Sequence, residues 1–268
     1  MKRVVHSIYH HWRIYCAIFK LSVMSRITYP LATALSFINV FFQMFIYIIF
    51  AKAIFKYIPH VGGFSSDQLY IIIGTSMLIE MLSWLTYRAG INHIAFRIRS
   101  GKIESSFVKP MSSQFLALFT RIDIEDTMKL VTALILIVPH ISAVPHPTML
   151  HIFLYALSLI CGLAVSFGIL SSLASLTFFF GKLDGLYGIT AEIDTISKYP
   201  HTIFSKKMQW IFLTILPTAF IGSIPTLILT TTNHWLWFLT MVVGGLTFLY
   251  MSNVLWHWAE SHYSGASG

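Results

Sequence analysis

From Ile152 to Gly181 the chain runs for thirty residues without one charged side chain. As a helix rising about 1.5 Å per residue it would reach about 45 Å, more than the roughly 30 Å hydrocarbon core of a bilayer. In water such a run must be covered on every side. In lipid a helix satisfies its own backbone hydrogen bonds and needs no cover. Composition decides between the two: only 10% of the 268 residues are Asp, Glu, Lys or Arg and 56% are hydrophobic, where a soluble domain carries about 25% charged residues. So little charge cannot coat a water-facing surface of this size, and the mean hydropathy of +0.73 agrees. The expected fold is an all-α integral membrane protein, a single transmembrane domain over residues 1–268 with six membrane-embedded helical elements.

The net charge of +8 reads as topology, not as nucleic-acid binding. Lys2, Arg3, Arg13, Lys20 and Arg26 precede the first apolar run with no acid among them. Arg88, Arg97, Arg99, Lys102, Lys109 and Arg121 follow the second. The positive-inside rule places both segments, and so the N-terminus, on the cytoplasmic side. The basic N-terminal region is too long for a cleavable signal peptide. Cys16 and Cys161 lie far apart in apolar surroundings, which argues against a disulfide framework.

Within 1–26, Val4, Ile8, Trp12, Tyr15 and Phe19 recur at helical spacing. This fits an amphipathic helix in the membrane interface, with an ordinary soluble helix as the plainer alternative. Ile27–Phe50 is an uncharged first span, Lys52–Asp67 an outer loop, and Gln68–Tyr87 a second span holding one acid, Glu80. An interfacial helix near Gln114–Phe119 leads to a third span at about Met128–Val144, and Pro139, Pro145 and Pro147 mark the outer turn. The fourth span, Ile152–Gly181, either continues past the membrane or breaks near Gly168 or Ser171-Ser172. A polar fifth element, Leu186–Tyr199, carries Glu192, Asp194 and Lys198. Pro200, Pro217 and Pro225 then each disfavour a continuous helix. The region 200–230 reads as re-entrant half-helices over Ser205–Leu229, with a single Pro-kinked span as the alternative. The last span is Trp235–Trp256 with Trp at both ends, and the tail SHYSGASG is expected to be disordered.

Several chemistries are missing. There is no G-x-x-x-x-G-K-[ST], no H-E-x-x-H and no G-x-S-x-G, and the twelve histidines supply only one i, i+4 pair, His6 and His10. No metal site and no catalytic residue is expected. Glu80 is different: an acid in mid-membrane costs roughly 2.5 to 3.5 kcal/mol on insertion scales and must be paired, neutral or facing a wet cavity. It is either a substrate or proton site or a structural hydrogen bond to Asn39 or Gln43 of the first span.

The stretch 88–112 is basic, carries Gly101 and Pro110, and keeps the apolar Ile91, Ile94, Phe96 and Ile98. An apolar, basic helix at the cytoplasmic surface suits docking into a groove on another protein.

"IRSGKIESSFVKPMSSQF" followed by "RID" resembles the first cytoplasmic loop of the membrane subunits of bacterial type-2 ABC transporters, in a branch with a KP pair ahead of an aromatic helix. "KYPHTIFSKKMQWIFLTILPTAFIGSIPTLIL" is similar to that branch's Tyr-Pro, Leu-Pro and final Pro before the last span. The resemblance implies a permease subunit of an ATP-driven exporter in the bacterial inner membrane. It would pair with a second permease subunit, identical or different, within membrane lipid, above separate ATPase subunits that bind ATP and Mg. Ile94, Phe96, Arg97, Arg99, Gly101, Lys102 and Glu104 would receive the ATPase stroke. Glu80 would lie on the translocation path, and Pro200, Pro217 and Pro225 would belong to the outer gate. The chain itself would hold no cofactor, in keeping with the missing P-loop. The rival reading is an ion-coupled secondary transporter or channel using Glu80 with Asp184, Glu192 and Asp194. A membrane enzyme would need a convergent polar cluster that the sequence does not assemble.

Overall fold

The computed structural model describes residues 2–55, 57, 60–141, 148–180, 185–263 and 265. Helix α1 (Lys2–Thr28) is followed by α2 (Pro30–Phe55). The boundary falls at Tyr29, a few residues later than the charge pattern suggests, because Pro30 cannot continue a helix but is well suited to begin one. The Thr33 hydroxyl donates to the Arg26 carbonyl at 2.8 Å across this joint. In α1, Trp12 and Phe19 stay exposed. Tyr15 Oη donates to the Leu85 carbonyl at 2.8 Å, and Ser22 accepts from the Ile122 amide, so these residues help tie the helix to the body. The side chains of Val4 and Ile8 lie outside the described residues.

A two-stranded hairpin, β1 (His60–Val61) and β2 (Phe64–Ser65), turns into α3 (Ser66–Trp84), which a Ser65–Gln68 capping box starts. After a bend of 46° the chain continues as α4 (Arg88–Arg99). A short α5 (Ser113–Leu118) and a 3₁₀ turn (Ile124–Met128) lead to α6 (Lys129–Ile141), which lies along α3. Pro145 and Pro147 fall outside the described residues. The long α7 (Met149–Ser175) follows with a short α8 (Thr177–Phe180). Then come α9 (Leu186–Ser197), α10 (Lys206–Thr214), α11 (Ser223–Thr230) and α12 (His234–Ser261).

Among the described residues, Pro30–Ala53, Met149–Phe180 and His234–Ser261 are long and apolar enough to cross a bilayer, and the α3–α4 pair adds a fourth when its two bent arms are counted as one span. An all-α membrane protein is what the structure shows. At 13 residues α6 reaches about 20 Å and α9, at 12, about 18 Å. Within the described residues α6 covers less than the Met128–Val144 span expected from the sequence, and α9 falls inside the polar fifth element Leu186–Tyr199.

The fourth span does not break at Gly168 or at Ser171-Ser172. It runs unbroken to Ser175 and is interrupted at Leu176. Gly168 instead marks a close approach: a Cβ there would sit 2.6 Å from the Phe248 carbonyl oxygen of α12. The pairing continues with His151 against His234 and Gly245 near Cys161. Because both numbers rise together, α7 and α12 run side by side in the same direction. The chain between them therefore makes one net return.

The largest apolar core gathers on this pair and takes in Leu154, Val165, Leu170, Met241, Phe248 and Trp256. The start of the supposed tail belongs to it. Tyr263 stacks edge-on against Phe107 and Phe178, and its hydroxyl reaches the Ile98 carbonyl at 3.4 Å. Residues 264 and 266–268 of that tail lie outside the described residues.

Candidate functional site

Glu80 sits on the inward face of α3, 8% exposed. Its partners are not Asn39 or Gln43. Oε1 accepts from Lys129 Nζ at 2.7 Å, and Oε2 accepts from Lys198 Nζ at 3.0 Å. One carboxylate thus joins α3 to the first residue of α6 and to the residue that ends α9. Lys198 stands there because α9 stops just short of Pro200, whose missing N–H and fixed φ end the helix. The second ammonium partner, Lys129, also pairs with Asp126.

About two turns along, past the bend into α4, Arg88 repeats the pattern. Its side chain is 1% exposed and forks onto Asp194, Nη2 to Oδ2 at 2.6 Å and Nη1 to Oδ1 at 2.9 Å. Nη2 also donates to the Thr190 carbonyl at 2.7 Å. The sequence assigns Arg88 to a surface loop as a topology signal. The structure buries it between α3 and α9, because the helical path resumes at residue 88 and turns this side chain inward. A bidentate Arg–carboxylate pair is the strong form of this contact, and removing one partner of a buried pair costs about 3 to 5 kcal/mol.

These groups line a cavity of about 390 Å³. Its far end is formed by the 3₁₀ turn, where Arg26 of α1 donates to both Asp123 and Glu125 at 2.7 Å and Arg121 reaches Asp123 at 3.0 Å. Ser36, Asn39 and Gln43 of α2 form a further wall, with Tyr47 and Trp84 beside the ammonium groups. Lys198 lies over the Tyr47 ring at 4.6 Å, and Arg88 over Trp84 at 5.5 Å. The cavity therefore combines fixed charges, aromatic faces and neutral amides in a chain that is otherwise poor in charge.

The prolines of the expected gate fall differently. Pro200 ends α9, and Pro217 separates α10 from α11 through a 3₁₀ turn, Thr218–Phe220. Pro225 interrupts nothing: it is the third residue of α11, within the first turn, where backbone N–H groups lack intrahelical partners. Neither Pro217 nor Pro225 lines the cavity.

The segment 88–112 divides in two. Ile91, Ile94 and Ile98 are buried in the main core, so Ile94 has no surface to offer a partner. The apolar stripe that suggests docking is the helix's own packing face. Arg97 is also occupied internally, donating to the Ala117 carbonyl at 2.6 Å and to Ser106 Oγ at 3.0 Å. Phe96, Arg99, Lys102 and Glu104 lie outward, with Lys102 Nζ 5.1 Å from the Phe96 ring centre. Gly101, at φ 69°, takes the left-handed conformation that lets the chain turn back after α4. The nearby α5 packs against the body: Gln114 is buried and bonds Ser171 at 2.7 Å, while Ser113 receives the Trp256 indole N–H and donates to Glu260.

The family profile for ABC-2 family transporter proteins matches residues 17–267. The chain belongs to that family. No curated protein and no solved structure matches it. As an ABC-2 permease it is a multi-pass membrane transport component of an ABC transporter. Sequence reasoning read Arg88 as a topology marker, passed over Lys129 and Lys198 as site residues, and brought in Asp194 only under the rival transporter reading. The available signal was their placement: four span-end charges of both signs, next to a span holding a lone acid.

Proposed function

We propose that this ABC-2 permease is half of the membrane part of an ATP-driven exporter in the bacterial cytoplasmic membrane, with its N-terminus on the cytoplasmic side. It works beside a second permease subunit, identical or different, and above a separate ATPase that binds ATP and Mg. The single observation that supports this best is the build of α4 and the turn after it. Their inner side is fixed by Ile94, Ile98 and the Arg97 bonds, while Phe96, Arg99, Lys102 and Glu104 are presented outward. A push on that outer side passes through a fixed body to α3, and along α3 to Glu80. ATP binding and hydrolysis in the partner then shift the permease between inward-open and outward-open arrangements. The two short helices on either side of Pro217 act as a re-entrant pair closing the outer gate.

Copurification with an ATPase subunit and a coupling measurement test this. Phe96→Ala combined with Lys102→Glu is expected to cut transport-coupled ATP hydrolysis while leaving the detergent melting temperature unchanged. Unchanged coupling would count against the assigned surface. Arg97 is a poor choice for this test, since its internal bonds make any substitution a folding variant.

A second reading, an ion-coupled transporter or channel, draws on the acids around Glu80. Asp194 joins that cluster, Glu192 is exposed and Asp184 lies outside the described residues. Full-rate transport in vesicles without nucleotide or a companion subunit would favour it.

A further inference from the structure

The polar lining of the cavity is of two kinds. Its five carboxylates, Glu80, Asp123, Glu125, Asp126 and Asp194, are all ion-paired: Arg88, Lys129 and Lys198 share the lining with them, while Arg26 and Arg121 reach Asp123 and Glu125 from outside it, and Glu125 Oε2 is left without a hydrogen-bond partner among the described residues. An entering ion would have to break a buried pair and leave the displaced charge without a partner.

The wall from α2 is unlike this. Ser36, Asn39 and Gln43 follow one another at spacings of three and four, one face of a helix, over about 10 Å of its length. Among the described residues none makes a hydrogen bond to the three. The same helix exposes Leu35, Ile38, Phe41, Phe42, Phe45 and Ile46 on its other sides. The stripe is thus a row of neutral hydrogen-bonding groups on the cavity wall, half-buried at Ser36 and exposed at Asn39 and Gln43, whose side chains hold no other part of the described structure.

Resting on the permease reading, we infer that the cavity binds the uncharged, hydroxyl-rich part of the substrate, a sugar or polyol group. Each carboxamide of Asn39 and Gln43 both donates and accepts, as does the Ser36 hydroxyl. A row of hydroxyls matches that arrangement group for group. An ammonium group offers donors alone and a phosphate mainly acceptors. About 390 Å³ lies near the lower end of small-molecule sites, roughly 300 to 1,000 Å³, which suits a small headgroup and not a polymer. The paired charges around it supply further fixed donors and acceptors without needing a charged ligand.

The full chain in phosphatidylcholine nanodiscs can be photolabelled with two probes, a soluble diazirine-bearing methyl glucoside and a glucosyl diacylglycerol with the same diazirine on its sugar. Mass spectrometry then maps the labelled residues. Label is expected on the Ser36–Tyr47 face of α2 and around Trp84, competed by unlabelled methyl glucoside and not by choline or inorganic phosphate. Labelling by the lipid probe alone identifies a glycolipid headgroup as the source; labelling by both identifies the sugar itself. Asn39→Leu with Gln43→Leu should lower labelling about tenfold. Since neither side chain bonds to the protein, the helical circular dichroism and melting temperature should stay unchanged. Competition on the unaltered chain stands independently of that variant. Label outside the cavity, competition by choline or phosphate, or undiminished labelling of the double variant would overturn the assignment. The assay contains no nucleotide and no ATPase, so its failure leaves the permease reading standing, and loss of ATPase coupling leaves this site standing.

Discussion

The α7–α12 pair and the α2–α9 side of the molecule are built from the same apolar alphabet and solve opposite problems. Along α7 and α12, small residues let two backbones touch: Gly168 faces the Phe248 backbone, Gly245 lies near Cys161, and the surrounding core is apolar. Across the α2–α9 side the elements stand apart around a cavity. Ion pairs from Glu80 and Arg88 tie α9 to α3 and to the start of α4, helped by Ser76 Oγ donating to the Ser197 carbonyl at 2.8 Å. Close packing resists sliding because interiors deform little. A polar tie is directional, and it can release one partner for another. The contrast is between a pair held by close packing and an α9 held to its neighbours by a few directional polar ties.

The largest expected effect tests the polar side. Glu80→Ala leaves two buried ammonium groups without their shared carboxylate and should cost about 3 to 5 kcal/mol, read as a fall in melting temperature in detergent. Arg88→Met should cost nearly as much by orphaning Asp194, and adding Asp194→Leu should recover most of it. If the double variant is no better than the single, the pair is not the tie described here. Next comes the close-packed pair: Gly168→Ala places a methyl group 2.6 Å from the Phe248 carbonyl oxygen and should cost about 1 to 3 kcal/mol by forcing the two helices apart. The smallest effect belongs to α2. Ser36→Ala should change the melting temperature negligibly, and a measurable loss would mean that the stripe serves the fold after all.

Residues 88–112 show how far the sequence could be read. The amphipathic pattern correctly announces a helix with one apolar face. Periodicity gives a face but not what covers it, and here the cover is the protein's own core around Leu118 and Leu170. For the same reason Ile94 turns into the core while Phe96 stays exposed. Glu80 was legible as a site because an isolated acid in a span must have a partner. Its partners were not legible, since they lie 49 and 118 residues away in the chain.

By itself the sequence determined the solvent. A chain with so few charges and runs of 24 and 30 uncharged residues can be surrounded only by lipid, and that requirement fixes helices as its elements. Local rules also fixed where Pro30 starts a helix and where Pro200 forbids one. Only the tertiary structure decided which charges meet. Arg88, Lys129, Asp194 and Lys198 each look like ordinary span-end residues, and it takes the docking of α3, α6 and α9 to bring them within 3 Å of their partners. Composition sets the medium one residue at a time, whereas an ion pair exists only once two distant segments share a place.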